Sequence, residues 1–274
     1  MKNLFYLFLA VTMFACSDDD SNDTNTNDCN QSSDFSISCS GIPYASIVYG
    51  TQEWTVENAC HTTYRDGTPI PQVTDDDEWF NLTTGAWCYF ENDPNKGVLY
   101  NWYAVKGIHD TDPNTPNKEF APTGWHVPSH SEWISFEEYL IESGYNSEPV
   151  TPIPVLYYGN VVNNYLAKSL ASASGWSCDE AYPINHYIMR NQSTNNSSGF
   201  NAFPAGCRFI SYSQNNPTSA RFLGWGESAD FWSASITYNE PNNYYKPVYT
   251  AFDRNLYYTI SGRPNGKSVR LVKD

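Results

Sequence analysis

The chain has 274 residues with 30 acidic and 15 basic side chains, a formal net charge of −15. That balance excludes a nucleic-acid surface as the default role, because neutralising phosphates needs clustered Lys and Arg. Aromatic residues make up 16 %, with 21 Tyr and 9 Trp, and Gly, Pro, Asn and Asp interrupt the sequence at short intervals; this composition predicts short strands and many turns.

At the N-terminus, Lys2 and an apolar stretch over 4–15 read as a signal peptide, too short to span a bilayer. Met13-Phe14-Ala15-Cys16 fits a lipobox, so Cys16 is the expected lipidation site, with outer-membrane lipid as its partner. Residues 16–40 are acidic and rich in Asn, Ser and Thr, the composition of a disordered tether. The run Ser17-Asp18-Asp19-Asp20-Ser21-Asn22-Asp23 resembles the export tag of Bacteroidota lipoproteins carried to the outer face of the outer membrane, which implies surface display. The rest, 41–274, is about 230 residues and reads as one domain.

Besides Cys16 the chain has Cys29, Cys39, Cys60, Cys88, Cys178 and Cys207. An even number in an exported chain points to disulfides, whose connectivity sequence leaves open. Proximity favours Cys29 with Cys39, and Cys178 is a partner for Cys207. No Cys-x-x-Cys spacing occurs, which argues against a redox motif or structural zinc.

Strands are expected at 46–49, 231–236, 244–253 and 268–272, and helices at 129–143 and 162–173. The first helix is the best marked. Ser129 with Glu132 forms a capping box, Pro128 can pack on Trp133 as a staple, Trp133, Phe136 and Leu140 recur at helical spacing, and Gly144 provides the stop. Trp125, just upstream, is expected to face the same core. About two helices in a turn-rich, mainly antiparallel framework is an α+β reading. The patch 191–198 reads as a surface loop.

Candidate chemistry is sparse. His126 and His130 are four apart, but Pro128 and the cap place His126 before the helix, so both read as structural; His61, His109 and His186 stand alone in polar loops. Asp110, Asp112 and Asn114 alternate as calcium ligands do, yet the loop lacks the Gly and Glu of an EF-hand, and solvated turn residues account for it and for Asp75-Asp76-Asp77-Glu78. Glu240-Pro241-Asn242 matches the calcium and sugar tripeptide of C-type lectins without the downstream Trp-Asn-Asp; a turn explains it equally. No cofactor is expected, calcium being the one weak candidate. Tyr244-Tyr245 and Tyr257-Tyr258 must each present one ring outward if on strands, and with Tyr157 and Tyr158 of the proline-stiffened segment 149–158 they are the candidate contacts for a glycan or protein partner. Trp232 and Phe231 can equally be core. There is no Gly-x-Ser-x-Gly, His-Glu-x-x-His or phosphate loop.

The run Gly124-Trp125-His126-Val127-Pro128-Ser129-His130-Ser131-Glu132-Trp133 resembles the hallmark of the Fibrobacter succinogenes major paralogous domain. Flanking blocks agree in order, among them Tyr49-Gly50-Thr51-Gln52-Glu53-Trp54, Leu99-Tyr100-Asn101-Trp102-Tyr103, Gly199-Phe200-Asn201-Ala202-Phe203, Phe231-Trp232-Ser233 and the terminal Val269-Arg270-Leu271. Ala205-Gly206-Cys207 departs from a Gly-Gly-aromatic, and 145–166 is a long insertion. The resemblance implies a C-type-lectin-like fold distantly similar to formylglycine-generating enzymes, whose reactive cysteine pair has no counterpart near the C-terminus here. The expectation is a surface lipoprotein acting as a non-catalytic binding module, a subunit or accessory of an outer-membrane assembly that uses the insertions 145–165 and 179–198 for contact. A glycan-binding adhesin is the alternative, and a degenerate oxidase using Cys207 the third reading.

Overall fold

The computed structural model describes residues 35–37, 39–147, 156–157, 160–161, 164–177, 188–189, 191–210, 220–236, 243–250 and 255–274. Along the chain come β1 (Ser46–Tyr49), β2 (Gln52–Thr55), α1 (Asp76–Phe80), β3 (Trp87–Tyr89), β4 (Val98–Tyr100), α2 (Trp102–Val105), β5 (Trp125–His126) and α3 (His130–Glu142). Then follow β6 (Leu156–Tyr157), β7 (Asn160–Val161), α4 (Ala167–Leu170), β8 (Ala205–Ile210), β9 (Ala220–Trp225), β10 (Ser228–Asp230), β11 (Asn243–Thr250), β12 (Tyr257–Gly262) and β13 (Val272–Lys273). The architecture is mixed, with few helices and short strands that pair mostly antiparallel; β8 with β10 is a parallel exception.

One sheet has the order β1-β2-β13-β5 and another β12-β11-β10-β8-β9. The β1–β2 hairpin closes through a two-residue turn at Gly50-Thr51, where Gly50 takes φ 62°, a left-handed conformation that such turns demand. C-terminal Val272 sits between Trp54 of β2 and His126 of β5, so the first and last parts of the domain share a sheet.

The cap of α3 forms as its sequence predicts. Glu132 N–H donates to Ser129 Oγ at 3.3 Å and Ser129 N–H to Glu132 Oε2 at 2.7 Å. At the other end Tyr145 N–H reaches Leu140 O at 2.9 Å and Gly144 N–H reaches Ile141 O at 3.0 Å, a Schellman stop with Gly144 at φ 76°. The expected helix over 162–173 is a single turn, because Tyr165 takes φ 50° and Asn164 spends its side chain on both backbone groups of Leu256. The strand expected at 231–236 is displaced to β10; Phe231 makes one bridge to Ser268, and Trp232 turns inward with Nε1 donating to Tyr100 O at 2.7 Å.

Aromatic wealth goes inward. All nine Trp are described and none is exposed; Trp54, Trp79, Trp133, Trp176 and Trp232 are fully buried. Trp133, Phe136 and Leu140 pack with Trp54, Phe200 and Phe231 in one cluster, whereas Trp232, Tyr100, Trp102 and Val269 form a second. Trp125 packs on that second cluster, not with Trp133 as expected, because β5 pairs with β13 and carries its side chain to the other side.

Three buried cations brace these clusters. Arg270 donates to Asn58 Oδ1, Thr55 O, Phe200 O and Asn201 O at 2.7–2.9 Å, its guanidinium 4.6 Å from the Phe200 ring centroid. Arg208 lies between Trp79 and Phe222 and donates to Val73 O, Thr74 O and Asp76 Oδ1. Lys267 pairs with Asp230 at 3.3 Å, both buried. Burial of charge is tolerated only with such partnering.

Packing begins upstream of the boundary set by composition at residue 41. Phe35 stacks on Trp225 at 4.8 Å and edge-on to Phe203 at 4.5 Å, and Ile37 N–H donates to Asn95 O at 2.7 Å. Among the described residues Cys39 joins Cys60 in a disulfide, with Cα atoms 6.2 Å apart, and not Cys29 as expected. The strap 35–37 lays Cys39 beside Cys60, and sequence proximity to Cys29 loses to that packing. Cys88 and Cys207 are buried thiols, and Cys178, the partner expected for Cys207, lies outside the described residues.

Candidate functional site

Between α2 and β5 the chain makes a loop that leaves and returns at one point. Lys118 N–H donates to Gly107 O at 2.9 Å and Gly85 N–H to Ile108 O at 2.7 Å, which closes the base. Gly107 takes φ 70°, and a Cβ there would run into the Lys118 carbonyl; a Cβ on Gly85 would meet the Tyr64 hydroxyl and lie 2.8 Å from Ala104 Cα. Only glycine allows three chain segments to meet this closely.

Within the loop, side chains stiffen the backbone. Asp110 Oδ1 accepts Asp112 N–H at 3.0 Å, and Asp112 Oδ1 accepts both N–H and Nδ2 of Asn114 at 2.9 Å. These are Asx turns, so the three candidate calcium ligands cap one another. Among the described residues no group of three His, Cys, Asp or Glu side chains converges. Lys118 Nζ holds Asp66 at 2.5 Å, keeping that carboxyl below the ordinary range, and Arg65 donates to Ala121 O, Pro122 O and Trp125 O.

A cleft lies on each face of this loop. One, about 400 Å³, is lined by Thr83, Tyr103, Asp110, Asp112, Thr115 and Arg263 with others; the second, about 470 Å³, by Arg65, Asp66, Lys118 and Glu119. His109, Thr115 and Asn117 line both. Both volumes fall in the range of small-molecule sites. A third cleft of about 210 Å³ lies at strap residues Ser36 and Ile37, with Asn58, Asn201 and Arg270 in its wall; Arg270 is occupied as a brace.

Other expected site residues fall elsewhere. His126 is held by Glu132 Oε1 at 2.6 Å and Asp274 Oδ1 at 2.9 Å; burial alone would lower its pKa, but the two carboxylates outweigh burial and raise it. His61 is not in a polar loop. It is half-buried against Phe120, bonded to Tyr44 Oη at 2.9 Å and Phe120 O at 3.0 Å, and desolvation pushes its pKa down to about 4. His109 lies 3.5 Å from Asp110. Asp75-Asp76-Asp77-Glu78 are exposed as expected but open a helix and not a turn: Asp75 caps α1 and Asp76 holds Arg208. Stretch 191–198 exposes Asn191, Ser193, Thr194 and Ser197 as a surface loop would, but its other side chains turn inward and anchor it. Gln192 clamps both backbone groups of Trp176, and Asn195 holds Ser172 O and Ile188 O.

Tyr244 and Tyr245 lie on β11, Tyr257 and Tyr258 on β12, paired antiparallel, and Tyr157 on β6; their side chains lie outside the description. Cys16, Tyr158, His186, Glu240, Asn242 and most of 149–158 and 179–190 lie outside the described residues. Ser129, Glu132, Trp133 and Trp232 serve the fold as expected, and Pro128 is buried beside the cap.

The Fibrobacter succinogenes major domain matches residues 47–273. This chain belongs to that family. The family's terminal Val-Arg-Leu here supplies Arg270 and the two flanking core residues, and its Phe-Trp supplies Phe231 and Trp232. No curated protein and no solved structure matches the chain.

Proposed function

We propose that this member of the Fibrobacter succinogenes major domain family is a lipid-anchored binding module, displayed on the outer face of an outer membrane through Cys16, on a C-type-lectin-like fold. The lipobox and acidic run support the address, and the sharing of one sheet by β1, β2 and β13 supports the fold. The observation that carries the binding role is the loop 107–118, tied at its base and flanked by two preformed clefts. Rigid loops that place polar groups around a cavity bind at low ordering cost. Non-catalytic use is supported by the burial of Cys207, since the oxidase reading needs an accessible, reactive thiol there.

A second reading, a subunit docked on an outer-membrane assembly, is favoured by the apolar segment 149–158 with its three prolines. Mild detergent extraction of the tagged, lipidated protein decides between them. Loss of membrane retention in Cys16→Ala and cleavage by protease added to intact cells are the expected results. A stoichiometric protein partner lost on deleting 149–158 would favour the subunit reading. Retention without Cys16, or protection in intact cells, would overturn the address.

A further inference from the structure

We propose that the cleft between α2 and loop 107–118 takes a neutral, polyhydroxylated ligand, a glycan unit; this rests on the binding-module reading. Side chains at this loop divide into two sets. Asp110 Oδ1, Asp112 Oδ1 and Lys118 are committed to holding the loop. The hydroxyls of Thr83, Thr111 and Thr115 and the amide of Asn117 line the cleft and make no hydrogen bond among the described residues. Hydroxyls and amides donate and accept at once, and the second oxygen of Asp112 accepts only. Vicinal sugar hydroxyls, which also donate and accept, suit that mixture.

Half-buried Tyr103 and Ile108 add an apolar part to the wall, against which the C–H face of a pyranose can lie while its hydroxyls meet the polar rim. Anionic ligands are disfavoured, since Asp110 and Asp112 outnumber Arg263 in the wall of this cleft and the whole chain carries −15. An apolar peptide is disfavoured because it would leave the threonine and asparagine groups unpaired.

The test uses the full-length protein in detergent micelles on an array of neutral, sialylated and sulfated oligosaccharides, with Asp112→Ala and Thr115→Val beside it. Neutral oligosaccharides are expected to bind, with affinity about tenfold weaker in either variant, the loss of one hydrogen bond to a charged or buried partner. A Leu223→Ser control on β9 is expected to bind unchanged. Preference for sialylated or sulfated glycans, absence of oligosaccharide binding at millimolar concentration, or neutral binding unaffected by both variants would each overturn the proposal. If the glycans fail while the same variants release a partner captured from membranes, the glycan class falls and the binding-module reading stands.

Discussion

Two stretches of nearly the same composition meet opposite fates. Residues 110–117 and 191–198 are both built from Asn, Asp, Ser and Thr with their neighbours, and neither has a hydrophobic period. Yet Gln192, Asn195 and Ser198 are buried, while Asp112, Asn114 and Asn117 are exposed. The difference lies in what the polar atoms answer to. In 191–198 the side chains satisfy backbone groups of other segments, 16 residues away for Gln192 to Trp176 and 29 for Ser198 to Ser169. In 110–117 they satisfy backbone two residues on, which leaves the outward groups available. Polar composition marks neither surface nor function; the range of the hydrogen bonds does.

Acid should separate the two stretches most strongly. His61 anchors the exit of the cleft loop through Phe120 O, and burial holds its pKa at about 4, below the unperturbed 6.5. A group with a depressed cationic pKa stabilises the fold above its unfolded value and loses that contribution as pH falls from 6.5 towards 4, here about 3 kcal/mol in full. Hydrogen exchange across that interval should accelerate in 108–120 before 191–198. A His61→Phe variant should flatten the pH dependence. Equal acceleration in both stretches would break the contrast.

Next in size is Gln192→Ala. It strips Trp176 of partners for both its N–H and its C=O in a buried setting, at a cost of about 2 kcal/mol. Urea titration reads this as a lower midpoint with unchanged slope. A neutral outcome would mean that 191–198 is the surface loop its composition suggests.

Local features of the fold were legible in the sequence because their partners lie within a few residues. Ser129, Glu132 and Gly144 announce α3 at both ends, and the β1–β2 turn follows from Gly50. What escaped is held by distant partners. His126 finds Asp274 across 148 residues, Arg270 reaches Thr55 across 215, and Cys39 joins Cys60 because Phe35 and Ile37 have already docked. The cleft is half visible: the alternating oxygen ligands mark Asp110 and Asp112 in its wall, but Thr83, Tyr103 and Arg263 come from three other segments. Gly107 was the available signal, a left-handed residue at the point where a loop must return on itself.

The smallest expected effect is the one that most sharpens the comparison. Asp112→Ala removes two hydrogen bonds, both to Asn114 in its own exposed turn, where water replaces them. Its cost in stability should be below about 0.5 kcal/mol, as for surface substitutions away from packed features. Gln192→Ala removes the same number of bonds at several times that cost, and the ratio between the two variants measures burial and not bond count. If Asp112→Ala proved as destabilising as Gln192→Ala, the loop would be a structural strut like 191–198. A stable Asp112→Ala protein that has lost its ligand would instead place the carboxylate where the chain keeps polar groups for something other than itself.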